Sequence, residues 1–309
     1  MMKHNLTFPA LTLAGGAAAF VLRLLQVRTS FEVETGLPIP GNPWGTALIV
    51  LLLLLAAALV LLARKLPQES AALGFPQSFS TSSTGILTIL ILGVFLLGAS
   101  GLLDLFSGLR SGVSMPADAY AITADGISAD GFSAKEHLVL GLLSLLSAAS
   151  LFPAAAACRR PGSHESSDTP RKTVQGSLLL VPVVCFVIRL VLVYRVDSIN
   201  PVLSDYYLEL LALVFLTLGF YRLSSFAFGA GRNGLFALYA GLAVILGLAE
   251  LADGFGSSQL PITLFHAGGA VTLLGFLLLR MGTPIPTGRT RRRRVQPDEE
   301  APAAPSDNS

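Results

Sequence analysis

Eight ionisable residues stand in stretches of sequence that are otherwise almost wholly apolar: Arg23, Asp104, Arg189, Asp205, Glu209, Glu250, Asp253 and His266. Charge in such surroundings is costly, so these groups face either an opposite charge or a water-filled cavity. Asp205 and Glu209 are four residues apart and share one face of a helix. Arg189 lies about five residues from the end of its apolar stretch, roughly 8 Å at the helical rise, and Glu209 is about as deep in the next one. Only a short turn, Val196 to Val202 with Asn200-Pro201 inside it, joins the two stretches, which makes them antiparallel neighbours. The spacing therefore predicts that Arg189 reaches Glu209, with Asp205 nearer the surface, and that Arg23 pairs with Asp104. Three roles suit such a layer. The pairs neutralise each other and fix helix register, or they line a vestibule that takes a small charged solute, or the longer side chains snorkel to the interface.

Other patterns carry a chemical meaning that their context withdraws. Gly229-Ala-Gly-Arg-Asn-Gly234 fits the GxGxxG spacing, but a dinucleotide fingerprint needs a strand before it and a βαβ unit around it. Here it follows an apolar helix and reads as a turn. The repeat Ala124-Asp-Gly-Ile-Ser128, Ala129-Asp-Gly-Phe-Ser133 sets two aspartates in a connection without the ligand pattern of a calcium loop. Cys158 and Cys185 lie far apart without CxxC spacing, so they form neither a disulfide framework nor a metal site and read as packing residues. No metal and no cofactor is expected.

Gly98-Ala-Ser-Gly101 and His266-Ala-Gly-Gly269 resemble the rhomboid intramembrane protease pattern, in which a GASG serine and a histidine two helices later form a dyad. That resemblance implies a histidine that takes the proton of Ser100 and backbone donors that hold the oxyanion. Here five helices separate the two residues and the Trp-Arg loop signature is missing. Small residues in such a helix serve close packing equally well. No catalytic residue is assigned.

The elements that must position these residues are transmembrane helices. Charged residues make up 13% of the 309, hydrophobic residues 52%, and mean hydropathy is +0.68, whereas a soluble chain carries about a quarter charged residues. A helix needs roughly twenty apolar residues to cross the hydrocarbon. Eight stretches qualify: Thr7–Gln26, Gly45–Ala63, Gly85–Phe106, His137–Ala157, Ser177–Tyr194, Val202–Tyr221, Asn233–Asp253 and Pro261–Arg280. Helices satisfy their own backbone in lipid, and runs such as Leu51–Leu55 do not alternate as barrel strands do. The expected fold is all-α, a polytopic membrane helix bundle over residues 1–282, followed by a cytoplasmic tail over 283–309. The first stretch is expected to be an uncleaved helix, since Arg23 interrupts its apolar end and no small-x-small cleavage site follows.

Basic residues set the orientation. With the N-terminus inside, Lys3, Arg64, Lys65, Arg159, Arg160, Arg171, Lys172, Arg222, Arg232, Arg280, Arg289 and Arg291 through Arg294 fall inside, and only Arg28, Arg110, Lys135 and Arg195 outside. Both termini are therefore expected in the cytoplasm, with the charged layer near the outer side. Tyr194, Tyr206, Tyr207 and Trp44 sit near outer helix ends, where an aromatic belt accounts for them. The tail is basic, then acidic and rich in Pro and Ala, a composition that reads as disordered. Beside a membrane its arginine run suits anionic lipid rather than nucleic acid.

The chain also matches itself. Phe20-Val-Leu-Arg-Leu24 parallels Phe186-Val-Ile-Arg-Leu190, and Leu97-Gly98, Leu102 and Asp104 parallel Leu246-Gly247, Leu251 and Asp253. Both matches are four helices apart and in the same order, as two four-helix repeats related by an axis along the membrane normal would be. Leucine-rich helices match by chance, but a matching Arg and a matching Asp weigh more.

Tyr194-Arg195, Asn200-Pro201-Val202-Leu203, Tyr207, Glu209-Leu210-Leu211-Ala212, Phe226-Ala-Phe-Gly229 and Thr35-Gly-Leu-Pro-Ile-Pro-Gly41 together resemble a group of uncharacterised multi-pass membrane proteins of clostridial-type bacteria. The resemblance implies a bacterial plasma membrane and an eight-helix layout, and it carries no activity. The expectation is a non-enzymatic integral membrane protein, with a secondary transporter for a small charged solute as the alternative and a membrane-embedded hydrolase as the third reading.

Overall fold

A computed structural model describes residues 7–32, 39, 41–66, 75–113, 132–159, 176–198, 203–254 and 260–282. Over these residues the chain forms α1 (Thr7–Thr29), α2 (Pro43–Lys65), the single turn α3 (Phe75–Ser78), α4 (Thr84–Val113), α5 (Ala134–Ala157), α6 (Gly176–Asp197), α7 (Leu203–Ser225), α8 (Asn233–Glu250) and α9 (Leu260–Gly282). All but α3 are long and apolar enough to cross a membrane. The chain is a multi-pass membrane helix bundle. The Asp-Gly repeat falls mostly outside the described residues, and the 161–175 connection and the 283–309 tail fall wholly outside them.

Local chemistry sets the helix ends. Asn42 caps α2, its side-chain oxygen accepting from the Trp44 N–H at 3.1 Å while its amide donates to the Thr29 carbonyl at 2.7 Å. At the start of α5 the Ser133 N–H donates to Glu136 at 2.8 Å, which satisfies one of the amides a helix start leaves open. Two ends differ from expectation. α8 stops at Glu250, and tight turns carry the chain on to Gly254, the Asp253 N–H donating to the Glu250 carbonyl at 3.1 Å. α4 runs to Val113, two turns beyond Phe106, because its last turns pack on α5: a Cβ on Gly108 would stand 2.9 Å from the Ala134 carbonyl oxygen. Both α5 and α6 continue through their prolines, Pro153 and Pro182.

α8 and α9 are the most enclosed spans and α2 the least. α9 packs on α4, α7 and α8, while α8 packs on α1, α2, α7 and α9. α4 also packs on α5, which leads through α6 to α7. Without water to drive apolar surfaces together inside a membrane, close van der Waals approach supplies much of the association. Glycines make it possible between α4 and α9. A Cβ on Gly93 would lie 2.4 Å from the Thr272 backbone nitrogen, and one on Gly268 would lie 2.6 Å from that of Leu97.

The two ends of the bundle have different chemistry. The end formed by the C-termini of α1, α4, α6 and α8 holds the charged layer. At the other, α3 folds back so that Phe79 meets Phe75, Phe226, Phe236 and Phe276 with ring centroids 5.0 to 5.7 Å away. Arg280, counted above among the flanking basic residues, is turned inward there and buried. It donates to the Asn233 side chain, and to the Ser78 carbonyl at 2.9 Å, acceptors that let it leave water.

Gly93→Val forces α4 and α9 apart, so it should lower thermal stability in detergent by an overpacking cost of about 1–3 kcal/mol. Gly85→Ala, whose added Cβ meets nothing within 4 Å, should leave stability unchanged. Equal melting of the two variants would show that the α4–α9 approach is not tight.

Candidate functional site

Two arginines organise the charged end, and they differ in how they are satisfied. Arg189 of α6 is fully buried, as is Asp104 of α4, with side-chain exposures of 0% and 1%. Arg189 Nη1 donates to Asp104 Oδ2 at 3.0 Å, and the guanidinium plane lies over the Phe265 ring at 4.3 Å from its centroid. A desolvated cation gains most from such a ring face. Asp104 Oδ1 makes a longer contact, 3.4 Å, with Nδ1 of His137 at the start of α5, and the edge of Phe132 closes over that imidazole. Cys185 and Ser144, 3.8 Å apart, border the pair. One cation meets one anion here and neither is exposed, so the pair is charge-balanced and closed to the exterior, although Arg189 Nε and Nη2 and His266 Nε2 meet no hydrogen-bond partner among the described residues.

Arg23 of α1 is buried to 1% exposure, but its partner Asp253 keeps 25%. The pair is forked: Nε donates to Asp253 Oδ1 at 2.8 Å and Nη2 to Oδ2 at 2.6 Å, the geometry in which arginine holds carboxylate most firmly. Nη1 donates to the side chain of Gln26, one turn further along, at 3.2 Å. Glu250, Glu209 and the Tyr207 hydroxyl surround this pair. Glu250 is buried, and its Oε2 meets no hydrogen-bond partner among the described residues, nor does the Tyr207 hydroxyl. Among the described residues, Asp253 and Glu250 thus act on the Arg23 guanidinium, and Glu209 stands beside Glu250.

The pairing expected from sequence is corrected. Arg189 does not take Glu209, and Arg23 does not take Asp104. α6 and α7 are neighbours, but Arg189 points to the side of α6 that faces α4 and α9, whereas Glu209 stands beside Glu250 at the end of α8. Arg23 instead meets Asp253 because α1 lies on α8 and because α8 ends early enough for Asp253 to turn back. The side chain of Asp205 lies outside the described residues. His266 is buried beside Arg189, with Nδ1 on the Ile262 carbonyl at 3.1 Å, and so belongs to the closed group. Each arginine pairs with the aspartate of the opposite half of the sequence match. The helix neighbours follow that relation less well, for α8 packs on α1 and α2 while its counterpart α4 packs mainly on α5 and α9.

Sequence reasoning missed three residues. His137 was placed only as the start of a span, although it opens α5 at the level of Asp104. Gln26 follows Arg23 by one turn and carries a side-chain acceptor. Tyr207 was assigned to the interfacial belt, yet its hydroxyl is turned toward Arg23 and Glu250. The exposed Tyr194 fits the belt.

Ser100 gives its hydroxyl proton to the Pro261 carbonyl at 2.8 Å, so neither it nor His266 stands in the other's hydrogen-bonding position. Among the described residues no three of His, Cys, Asp and Glu are grouped to hold a metal ion. Cys158, just past the end of α5, is buried, and burial pushes its thiol up to about 12, which makes it a poor nucleophile. Compared with protein families, with curated proteins and with solved structures, the chain matches none.

Breaking a buried pair by removing one partner costs about 3–5 kcal/mol, because the other charge is left alone. Asp104→Asn and Arg189→Gln should each destabilise strongly, and the double variant should lose far less than their sum. Glu209→Gln combined with Arg189→Gln should be additive. Coupling between positions 189 and 209, read from melting of the purified variants, would restore the pairing that the structure replaces.

Proposed function

We propose that this is a non-enzymatic membrane protein that binds a small organic cation at the Arg23–Asp253–Glu250–Glu209 cluster, while the Arg189–Asp104 pair serves as a structural tie. The single observation behind the proposal is the buried Glu250 Oε2, which meets no hydrogen-bond partner among the described residues and stands beside the accessible Asp253. Burying surplus carboxylate in a low-dielectric bundle is costly, and the cost is met only by protons or by a bound cation. The exposure of Asp253 supplies access, and the unpartnered Glu250 oxygen and Tyr207 hydroxyl supply acceptors. The proton of Ser100, already engaged by a carbonyl, favours a binding role over a hydrolytic one.

The second reading, a secondary transporter for a small charged solute, is favoured by the opposite end of the same α7–α8 pair. There Phe226 and Phe236 pack with Phe79 and Arg280, so among the described residues that end is filled by aromatic packing while Asp253 is exposed at the other. The unbroken α5 and α6 speak against a site made from unwound mid-helix backbone. The setting that we propose is a bacterial plasma membrane, with both termini cytoplasmic and the cluster near the outer face. The asymmetry of the basic residues and the resemblance to clostridial-type membrane proteins support this. The surrounding bilayer is the standing partner, and anionic lipid would neutralise the Arg291–Arg294 run.

Methylammonium should bind the purified full chain, and Glu250→Gln should weaken that binding at least tenfold in isothermal titration. Equal binding by wild type and variant, both folded, would remove the cluster from consideration.

A further inference from the structure

α2 and α7 both lean on α8 and leave an apolar groove of about 240 Å³ between them. Its floor is Leu242 and Leu246 of α8, and its walls are Ile49 and Leu53 of α2 with Leu211 and Phe215 of α7. Leu53 is 65% exposed and Ile49 47%, so the groove opens sideways, where the acyl chains of a bilayer would lie. Its direction is fixed by helix periodicity. Leu242, Leu246 and Glu250 recur every four residues on one stripe of α8, and Tyr207, Leu211 and Phe215 do the same on α7. From Phe215 to Tyr207 the groove therefore runs about 12 Å and ends at Tyr207, one helical turn short of the level of Glu250 on the α8 stripe. Tyr207 belongs to groove and cluster alike: it lines the groove and stands beside Arg23, Asp253 and Glu250.

A lipid-facing groove whose last residue, Tyr207, stands beside Glu250 and Asp253 selects for one kind of molecule. We infer that the cation taken by the Glu250 cluster is amphipathic, a single apolar chain with an ammonium-like head, and that it reaches the cluster laterally from the bilayer between α2 and α7. This rests on the reading of the cluster as a cation site. The apolar chain would lie on Leu242, Leu246, Leu211 and Phe215, and the head would meet Glu250, with the ring of Tyr207 available to the cationic methyl groups. An ordinary anionic phospholipid fits poorly, because its headgroup would face Glu250, Glu209 and Asp253.

The test uses the full chain in nanodiscs of neutral lipid and equilibrium binding of tritiated decyltrimethylammonium and tritiated tetramethylammonium, with decyl sulfate as competitor. The decyl cation should bind at least tenfold more tightly than tetramethylammonium, and decyl sulfate should fail to displace it. Leu211→Trp, which fills the groove from its lipid-facing wall, should remove the advantage of the tail and leave tetramethylammonium binding unchanged. Glu250→Gln should weaken both cations. Equal affinity for the two cations, or a decyl advantage that survives Leu211→Trp, would overturn the lateral groove and leave the cation site standing. Displacement by decyl sulfate would likewise overturn it, by showing a seam indifferent to charge. Binding of neither cation in a Glu250-dependent way would overturn the cation site and the groove with it.

Discussion

A charge inside a membrane bundle must have something to meet, and the charged end of this protein is organised by how two arginines meet that requirement. Arg189 is surrounded on its own terms: an aspartate at 3.0 Å, an aromatic face at 4.3 Å and almost no exposure. Arg23 has an equally firm aspartate but sits among further carboxylates, one face of which reaches the exterior through Asp253. Because each arginine reaches across to the aspartate of the other half of the chain, the pairs bind α1 to the end of α8 and α6 to α4. Removing either would leave an ion stranded where solvation is poor. The helix layout around them, with α8 and α9 at the centre, is held by the close glycine-mediated approach of α9 to α4 and by the aromatic layer at the opposite end.

Much of this was legible in the sequence, for a physical reason. Crossing hydrocarbon demands long apolar helices, so the eight spans announced themselves by length alone, and charges inside them stood out as the only candidates for a polar interior. Seven of the eight site residues have described side chains, and all seven lie at the charged end of the bundle. What could not be read was which charge meets which. Sequence adjacency suggested Arg189 with Glu209, since their helices share a short turn, but partner choice depends on helix rotation, and a helix turns 100° per residue. The early end of α8, which frees Asp253 to reach Arg23, is likewise a tertiary effect. His137 and Gln26 are unremarkable in sequence and gain meaning only from what stands opposite them. The inward turn of Arg280 depends on α3, four residues too short to leave a periodic signal.

The contrast between a balanced, closed pair and an unbalanced, accessible one gives a division of labour. What separates them is access and charge rather than hydrogen-bond count: Arg189 and Asp104 are both shut away from the exterior, whereas Asp253 keeps 25% exposure beside the buried Glu250. The two lie in one layer but on different sides of the bundle, α4–α5–α6–α9 for the first and α1–α7–α8 for the second. Among the described residues aromatic packing fills the opposite end, while Asp253 is exposed at this one.

The most direct test of that division compares thiol access at the two groups. Cys185 already borders the Arg189–Asp104 pair. With Cys158 replaced by alanine it becomes the sole reporter there, and Glu209→Cys in a background lacking both native cysteines reports on the other group. Intact cells would be treated with a membrane-impermeant maleimide, with Ser128→Cys and Ser167→Cys as outside and inside controls. Rapid labelling at 209, at a rate near that of 128, with Cys185 and 167 unlabelled in the folded protein, is the expected result. Equal labelling at 185 and 209, or none at 209 while 128 reacts, would contradict the account.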